Sequence, residues 1–141
     1  ILVDFTGNSC QNCRKLEAGI WENDSIKDLM ENDYIIASLY VDWRDPYPLE
    51  IINLFNEKGD SIGYKKIKKS GDRWLTLQQQ TFMKNTQPLH VILMPCADVI
   101  NEDNCDEKLL GIPLAYNDAN DEEFYKNWLK EGLRKYKEFS K

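Results

Sequence analysis

The chain has 141 residues, 42% of them hydrophobic and 11% aromatic, enough for one domain with a proper core and incompatible with general disorder. Its formal net charge of −6 disfavours nucleic acid and anionic membrane surfaces as partners. No apolar run approaches the roughly 20 residues that span a bilayer, and no signal peptide is visible.

Residues 1–5 read as a buried strand that carries one carboxylate, Asp4. A turn containing Gly7 leads into Cys10-Gln11-Asn12-Cys13. Residues 10–31 read as helix, interrupted near residues 19–24, with Asp24 or Ser25 capping the second half. Residues 34–41, rich in β-branched and aromatic side chains, read as a second buried strand. The resulting βαβ unit predicts two parallel neighbouring strands joined by a right-handed crossover.

Residues 42–73 form the irregular part. Residues 45–48 read as a loop, and residues 50–55 and 62–67 as a hairpin turning at residues 57–60. Lys65, Lys66, Lys68 and Lys69 read as a solvated hairpin edge. Residues 74–84 read as a helix; Gln87-Pro88 stops it and opens a strand over residues 89–94. A polar loop spans residues 96–107, and residues 108–114 are the candidate last strand, weakened at its end by Pro113. Residues 120–139 predict a strong terminal helix, capped by Asn120 or Asp121, acidic in its first turn and lysine-rich at its end. Phe124, Trp128, Leu129, Leu133 and Tyr136 recur on it at helical spacing and are expected to face the core.

The chemistry concentrates at the first helix. Two cysteines two residues apart can form and break one bond, and a helix N-terminus stabilises a thiolate. Cys10 should stand where unpaired backbone N–H groups point at its sulfur, while Cys13, one turn further in, is more shielded. Cys10 is therefore the expected attacking thiol and Cys13 the resolving thiol, with a mixed disulfide on Cys10 between the two steps. The same spacing also serves a zinc half-site or a static structural bond. Zinc needs two more ligands. The remaining cysteines, Cys96 and Cys105, lie far downstream and His90 is the only histidine, a poor match to a zinc ribbon.

Asp4 is a second signal, because a carboxylate within an apolar strand is costly to bury unless it has a role. Close to the cysteine turn, it is expected to take the proton when Cys13 attacks. The plainer reading is a strand-end carboxylate bonded to neighbouring backbone. Glu17 lies at i+4 from Cys13, so the two share a helix face, and its charge would oppose thiolate formation. By spacing alone it is an ordinary solvated glutamate. His90 is expected to pack at the surface of its strand.

These residues resemble the thioredoxin-fold family. Val3-Asp4-Phe5 followed by Cys10-x-x-Cys13 has that family's carboxylate-to-cysteine spacing, and Pro88, after a helix and before a strand, matches its cis-proline. The resemblance implies that Thr86, Gln87 and Pro88 form a loop against the disulfide that offers backbone hydrogen bonds to an extended substrate. A narrower likeness rests on Asp4-Phe5-Thr6-Gly7, on Cys10-x-Asn12-Cys13-Arg14-Lys15-x-Glu17, and on Trp74 through Gln87-Pro88. These are similar to the C-terminal thioredoxin-like domain of DsbD-type thiol:disulfide interchange proteins, particularly Bacteroidetes-like versions with a long insertion before the third helix. The likeness covers most of residues 1–94 and then weakens, though the final helix also fits. It implies that Asp4 and Glu17 tune the nucleophile and that the domain is periplasmic, relaying electrons from a membrane segment to partner proteins. There are departures. Ser9 stands where thioredoxins commonly have tryptophan, the family's usual first strand and helix are missing before Ile1, and Cys96 and Cys105 are outside the pattern. Those two either close a short loop as a second disulfide, which the polar, poorly anchored segment between them favours, or remain thiols.

The expectation is a single α/β domain over residues 1–141 with a thioredoxin-like fold. It has a mixed central sheet flanked by helices and a hairpin-bearing insertion at about residues 43–73. Because the chain opens on strand residues without an initiator Met, it reads as a piece of a longer precursor; an extracytoplasmic location fits a disulfide-exchange role, and a tether to the inner membrane through a missing N-terminal part is what the resemblance leaves open. The expected function is thiol–disulfide oxidoreduction in the reducing direction, with Cys10, Cys13, Asp4 and Glu17 catalytic and Thr86, Gln87 and Pro88 binding substrate. Expected partners are protein disulfides and an upstream thiol donor such as a membrane electron-transfer domain. No nucleic acid, metal or diffusible cofactor is called for, and a monomer is expected. A disulfide isomerase or oxidase on the same fold is the alternative enzyme, and a non-catalytic interaction module with structural cysteines the alternative from another class. Trp43 and Tyr47 in the insertion are candidates for docking a partner, with local packing the plainer role of each.

Overall fold

The computed structural model describes residues 1–95 and 109–140. Cys96 and Cys105, with the question of their pairing, lie outside the described residues. In chain order the elements are β1 (Leu2–Thr6), α1 (Gln11–Ala18), a 3₁₀ turn (Ile20–Glu22), α2 (Asp24–Asp33) and β2 (Ile36–Tyr40). The hairpin β3 (Pro46–Phe55) and β4 (Ser61–Lys69) and the helix α3 (Ser70–Phe82) come next. They are followed by β5 (Leu89–Ile92), β6 (Leu114–Ala115), α4 (Tyr116–Ala119) and α5 (Glu122–Phe139). The fold is mixed α/β. A four-stranded sheet runs in the order β2-β1-β5-β6, and β3 and β4 form a separate two-stranded sheet. The β1–β2 pair is parallel, as the βαβ reading predicts, while β1–β5 and β5–β6 are antiparallel.

The strand β1 has a neighbour on each edge and helices on each face, so all five of its residues are buried. Period-two alternation divides them. Leu2 joins the larger core, with Leu16, Ile26, Met30, Ile92, Tyr125 and Leu129. Val3 and Phe5 join a second core with Leu89 and Val91, against which Leu77 and Phe82 of α3 pack. Between the sheet-facing layers, β1 ends in the turn that starts α1, so any residue on that turn sits at the strand's open end.

The interrupted first helix is present. Its second half is capped by Asn23, not by Asp24 or Ser25: Asn23 Oδ1 accepts from the Ser25 and Ile26 amides at 3.1 and 3.2 Å. The strand β2 is an edge strand and lies half-exposed rather than buried, with Ile36 39% exposed. Its β-branched run reads the same in either position. The residues read as a loop at 45–48 instead begin β3, with Pro46 paired to Lys69 and a register shift before Glu50. An edge position tolerates proline because no ladder amide is needed there. The last strand is short, Leu114–Ala115, with one isolated bridge between Leu93 and Leu109.

In α5, Asp121 is the cap, its Oδ1 accepting from the Phe124 amide at 2.9 Å. The buried stripe is Tyr125, Trp128, Leu129 and Gly132. Phe124 and Tyr136, expected in the core, are 43% and 38% exposed. A glycine sits on the inner face because Ile92 and the Tyr34 hydroxyl occupy the space a Cβ would take. No helix among the described residues is long and apolar enough to cross a membrane.

The helix α3 begins at Ser70, ahead of the predicted residue 74. It has no side-chain cap, and its first amides are instead satisfied by backbone: Ser70 N donates to the Asp45 carbonyl and Gly71 N to the Trp43 carbonyl, both at 3.0 Å. This seats the hairpin-bearing segment on α3, reinforced by Arg73 Nε against Glu50 Oε2 at 3.1 Å and by the Phe55 amide donating to Gln80 Oε1 at 2.8 Å. A Cβ on Gly71 would lie 2.6 Å from the Val41 carbonyl oxygen and 2.7 Å from Trp43 backbone atoms. Gly71→Ala is therefore expected to destabilise the fold by about 1–3 kcal/mol, measured as a lowered urea midpoint; an unchanged midpoint would show that the α3 start is free to move.

Candidate functional site

The turn after β1 carries the dithiol because it is pinned from two sides. Asp42, just past β2, reaches across to it: its carboxylate oxygens accept from the Asn8 amide at 2.9 Å and the Ser9 amide at 3.1 Å. Gly7 lies beneath that carboxylate, and a Cβ there would come within 3.2 Å of Asp42 Oδ2. Cys10 is the N-cap of α1, with extended backbone (φ −84°, ψ 101°). Its Sγ accepts from the Cys13 amide at 3.1 Å, so one of the unpaired donors of the helix start is aimed at the sulfur. Cys10 and Cys13 are bonded, Sγ–Sγ 2.06 Å. Cys10 is half-exposed and Cys13 is 3% exposed, which separates an accessible sulfur from a shielded one.

The opposite wall is the loop before β5. The Gln87–Pro88 bond is cis, in keeping with the resemblance. This loop is held by Gln78 of α3, fully buried, whose Nε2 donates to the Thr86 carbonyl at 2.7 Å and whose Oε1 accepts from Gln87 Nε2 at 2.9 Å. Between the walls runs an open groove of about 400 Å³, lined by Ser9, Cys10, Gln11, Asp42 and Gln87 among others. A better-enclosed cleft of about 130 Å³ lies between Tyr34, Leu110 and α5, away from the cysteines. It holds no thiol, so the chemistry belongs to the shallower groove.

The structure separates the carboxylates expected near the dithiol. Asp4 is 2% exposed and faces His90 across the β1–β5 pair. His90 Nε2 stands 3.1 Å from Asp4 Oδ1, an ion-pair distance at which the N–H does not point squarely at the oxygen, so Oδ1 has no well-aligned hydrogen bond. Ser38 Oγ is 3.5 Å from Oδ2. Far from the surface position expected of it, His90 is 1% exposed. It is buried because α5 and the 3₁₀ turn close over β5: its Nδ1 lies 2.8 Å from the Tyr125 hydroxyl and its ring 5.3 Å from that of Trp21. Glu17, in contrast, is half-exposed and pairs with Arg14 at 2.9 Å, while the same Arg14 nitrogen donates to Thr6 Oγ1 at 3.0 Å.

Asp42, Gln78, His90 and Tyr125 were not singled out as site residues by sequence. Asp42 and Gln78 act through backbone amides and carbonyls that any residue supplies, so only the turn composition at residues 7–9 hinted at the first. Trp43 and Tyr47 pack locally, with ring centroids 5.5 Å from Tyr40 and 6.4 Å from Trp74. No protein-family model and no curated protein matches this chain.

Burial of the Asp42 carboxyl opposes its ionisation, but the Asn8 and Ser9 amides and the Arg14 charge outweigh it and hold the group below its ordinary value. A carboxyl lowered in the folded state adds stability above the unfolded value and loses it as pH falls through the folded one. The stability gap between wild type and Asp42→Asn is therefore expected to be larger at pH 7 than below about pH 3, read from urea midpoints at each pH. A gap that stays constant would mean the ionised form is not what holds the turn.

Proposed function

We propose that this chain is a thiol–disulfide oxidoreductase of thioredoxin-like fold, resembling the C-terminal domain of DsbD-type interchange proteins and working as a reductase. The observation that carries this reading is the asymmetry of the dithiol: Cys10 caps α1, faces the groove and accepts the Cys13 amide, while Cys13 is buried behind it. Static structural bonds do not require one sulfur at a groove and a backbone donor aimed at it. The cis-Gln87–Pro88 loop on the opposite wall supports the same reading.

In the reduced protein the Cys10 thiolate attacks one sulfur of a partner disulfide. The Cys10–partner bond forms, the partner's own S–S bond breaks, and its first thiolate leaves with the electron pair. Cys13 gives up its proton to Asp4 and attacks Cys10 Sγ. The internal disulfide forms, the mixed disulfide breaks, and the second partner thiolate leaves. Two electrons have moved to the partner, and its two departing thiolates take one proton from Cys13 by way of Asp4 and one from solvent. An upstream dithiol restores the pair, and no diffusible cofactor enters. Glu17, its charge partly offset by Arg14, adjusts the thiolate field. Gln87 and Pro88 present backbone to the extended partner; the Thr86 carbonyl already accepts from Gln78, which fixes the loop. An extracytoplasmic setting suits this exchange.

The test is equilibration across graded dithiol/disulfide buffers, alkylation by a mass tag and mapping of the modified cysteines. Reversible two-electron titration of Cys10 and Cys13 is expected, with a midpoint near the reductase value of about −270 mV and with Cys10 alkylated faster. In Cys13→Ser, an added peptide disulfide should accumulate as a mixed disulfide on Cys10. Oxidation only in far less reducing buffer would indicate an oxidase or isomerase. A pair locked in one state with Cys10 unreactive would leave a non-catalytic module.

A further inference from the structure

The buried groups around Asp4 form a chain whose hydrogen-bond directions can be counted. Trp21 Nε1–H, which can only donate, gives its hydrogen to the Tyr125 hydroxyl oxygen at 3.0 Å. Burial pushes the Tyr125 hydroxyl well above its ordinary value, against the Trp21 bond and with the Asp4 charge, so it keeps its own hydrogen. That hydrogen needs an acceptor, and His90 Nδ1 stands 2.8 Å away. With Nδ1 accepting, the imidazole is neutral and carries its one proton on Nε2, which faces Asp4 Oδ1 at 3.1 Å. The reverse arrangement, with a proton on Nδ1, would strand the Tyr125 hydroxyl hydrogen in a fully buried site.

We propose that His90 is a positioning residue for the exchange reaction, locked by Trp21 and Tyr125 in the Nε2–H form so that the proton released by Cys13 is taken by the Asp4 carboxylate and not by the imidazole. This deepens the oxidoreductase reading and rests on it. Among the described residues, the polar groups meeting the Asp4–His90 pair are Ser38 from β2, Trp21 from the 3₁₀ turn and Tyr125 from α5. Of these Tyr125 alone titrates. Asp4 keeps acceptor capacity for the transfer: Oδ1 lacks a well-aligned donor and Oδ2 has only the distant Ser38 hydroxyl. The step balances as follows. The Cys13 S–H bond breaks and an O–H bond forms on Asp4. The sulfur keeps the electron pair, which forms the bond to Cys10 as the partner thiolate departs. Asp4 then returns its proton to solvent or to the next thiol. His90 changes neither charge nor tautomer, which keeps the pair from holding two protons.

Because His90 is the only histidine, its imidazole can be read without assignment. In uniformly ¹⁵N-labelled full chain, two-bond ¹H–¹⁵N correlation spectra should report the Nε2–H tautomer in both the oxidised and the reduced protein. An imidazolium or an Nδ1–H tautomer would overturn the inference, with no variant needed. In stopped-flow exchange with a peptide disulfide, His90→Leu should slow the Cys13 step about tenfold and shift its pH profile, while His90→Gln, which keeps a donor toward Asp4, should restore most of the rate. If His90→Leu does not fold, judged by near-UV circular dichroism, Tyr125→Phe carries the test: it frees Nδ1 of its donor, and the Nε2–H tautomer should then no longer be the sole form. A wild-type chain that exchanges while these variants keep its pH profile overturns this inference alone. A wild-type chain that does not exchange overturns the oxidoreductase reading and takes this inference with it.

Discussion

A carboxylate in the middle of a strand buried along its whole length constrains everything around it. Asp4 lies on β1, which has strands on both edges and helices on both faces, so it is withdrawn from bulk solvent. Unpaired burial of such a group costs several kcal/mol, and the chain answers from four separate places. His90 comes from the antiparallel neighbour, Ser38 from the parallel neighbour, Tyr125 from the last helix and Trp21 from the 3₁₀ turn. These segments are far apart in sequence, yet each must be in place before the carboxylate is accommodated. The terminal helix is therefore tied to the first strand by polar contacts as well as by the apolar stripe of Trp128 and Leu129.

The dithiol sits where that strand ends, and its two walls are fixed by the same device. Asp42 accepts backbone amides on one side, and Gln78 donates to a backbone carbonyl on the other. Such bonds hold loop backbone without depending on neighbouring side chains, so the groove residues Ser9 and Gln11 are free to vary in shape and polarity, whereas the Gln87 side chain is tied to Gln78 Oε1. Because Gln78 belongs to α3, and the start of α3 is where the hairpin is seated, one 13-residue helix carries both the β3–β4 insertion and the loop facing Cys10. The hairpin's outer face exposes Leu49, Ile51, Ile62 and Tyr64, so the insertion is fastened at its base and left uncovered along its length.

What the sequence disclosed was local. The buried strand β1, the helix broken near Gly19, the hairpin around Gly59 and the proline before β5 all announce themselves within a few residues. Contacts across the fold were not legible. Nothing adjacent to His90 tells that Tyr125 and Trp21 will close over it. Phe124 and Tyr125 are neighbouring aromatics, and a glycine at 132 within the inner stripe hides which of them faces inward. The exposure of β2 was equally hidden, because its apolar run suits a covered strand as well as an edge. The start of α3 was missed because its cap is made of carbonyls from residues 43 and 45, which have no side-chain signature.

The two carboxylates that the sequence singles out, Asp4 and Glu17, are kept in opposite conditions, and that contrast has a physical consequence. Glu17 is wet, half-exposed and paired with Arg14, so its field at the sulfurs is screened by solvent and by a nearby positive charge. Asp4 is dry, and a change in its charge acts at low effective dielectric on everything around it. Burial alone separates the two: solvent damps the field of the exposed carboxylate and does not damp that of the buried one. His90, itself 1% exposed and 3.1 Å from Asp4, is one of the groups that enclose the second carboxylate.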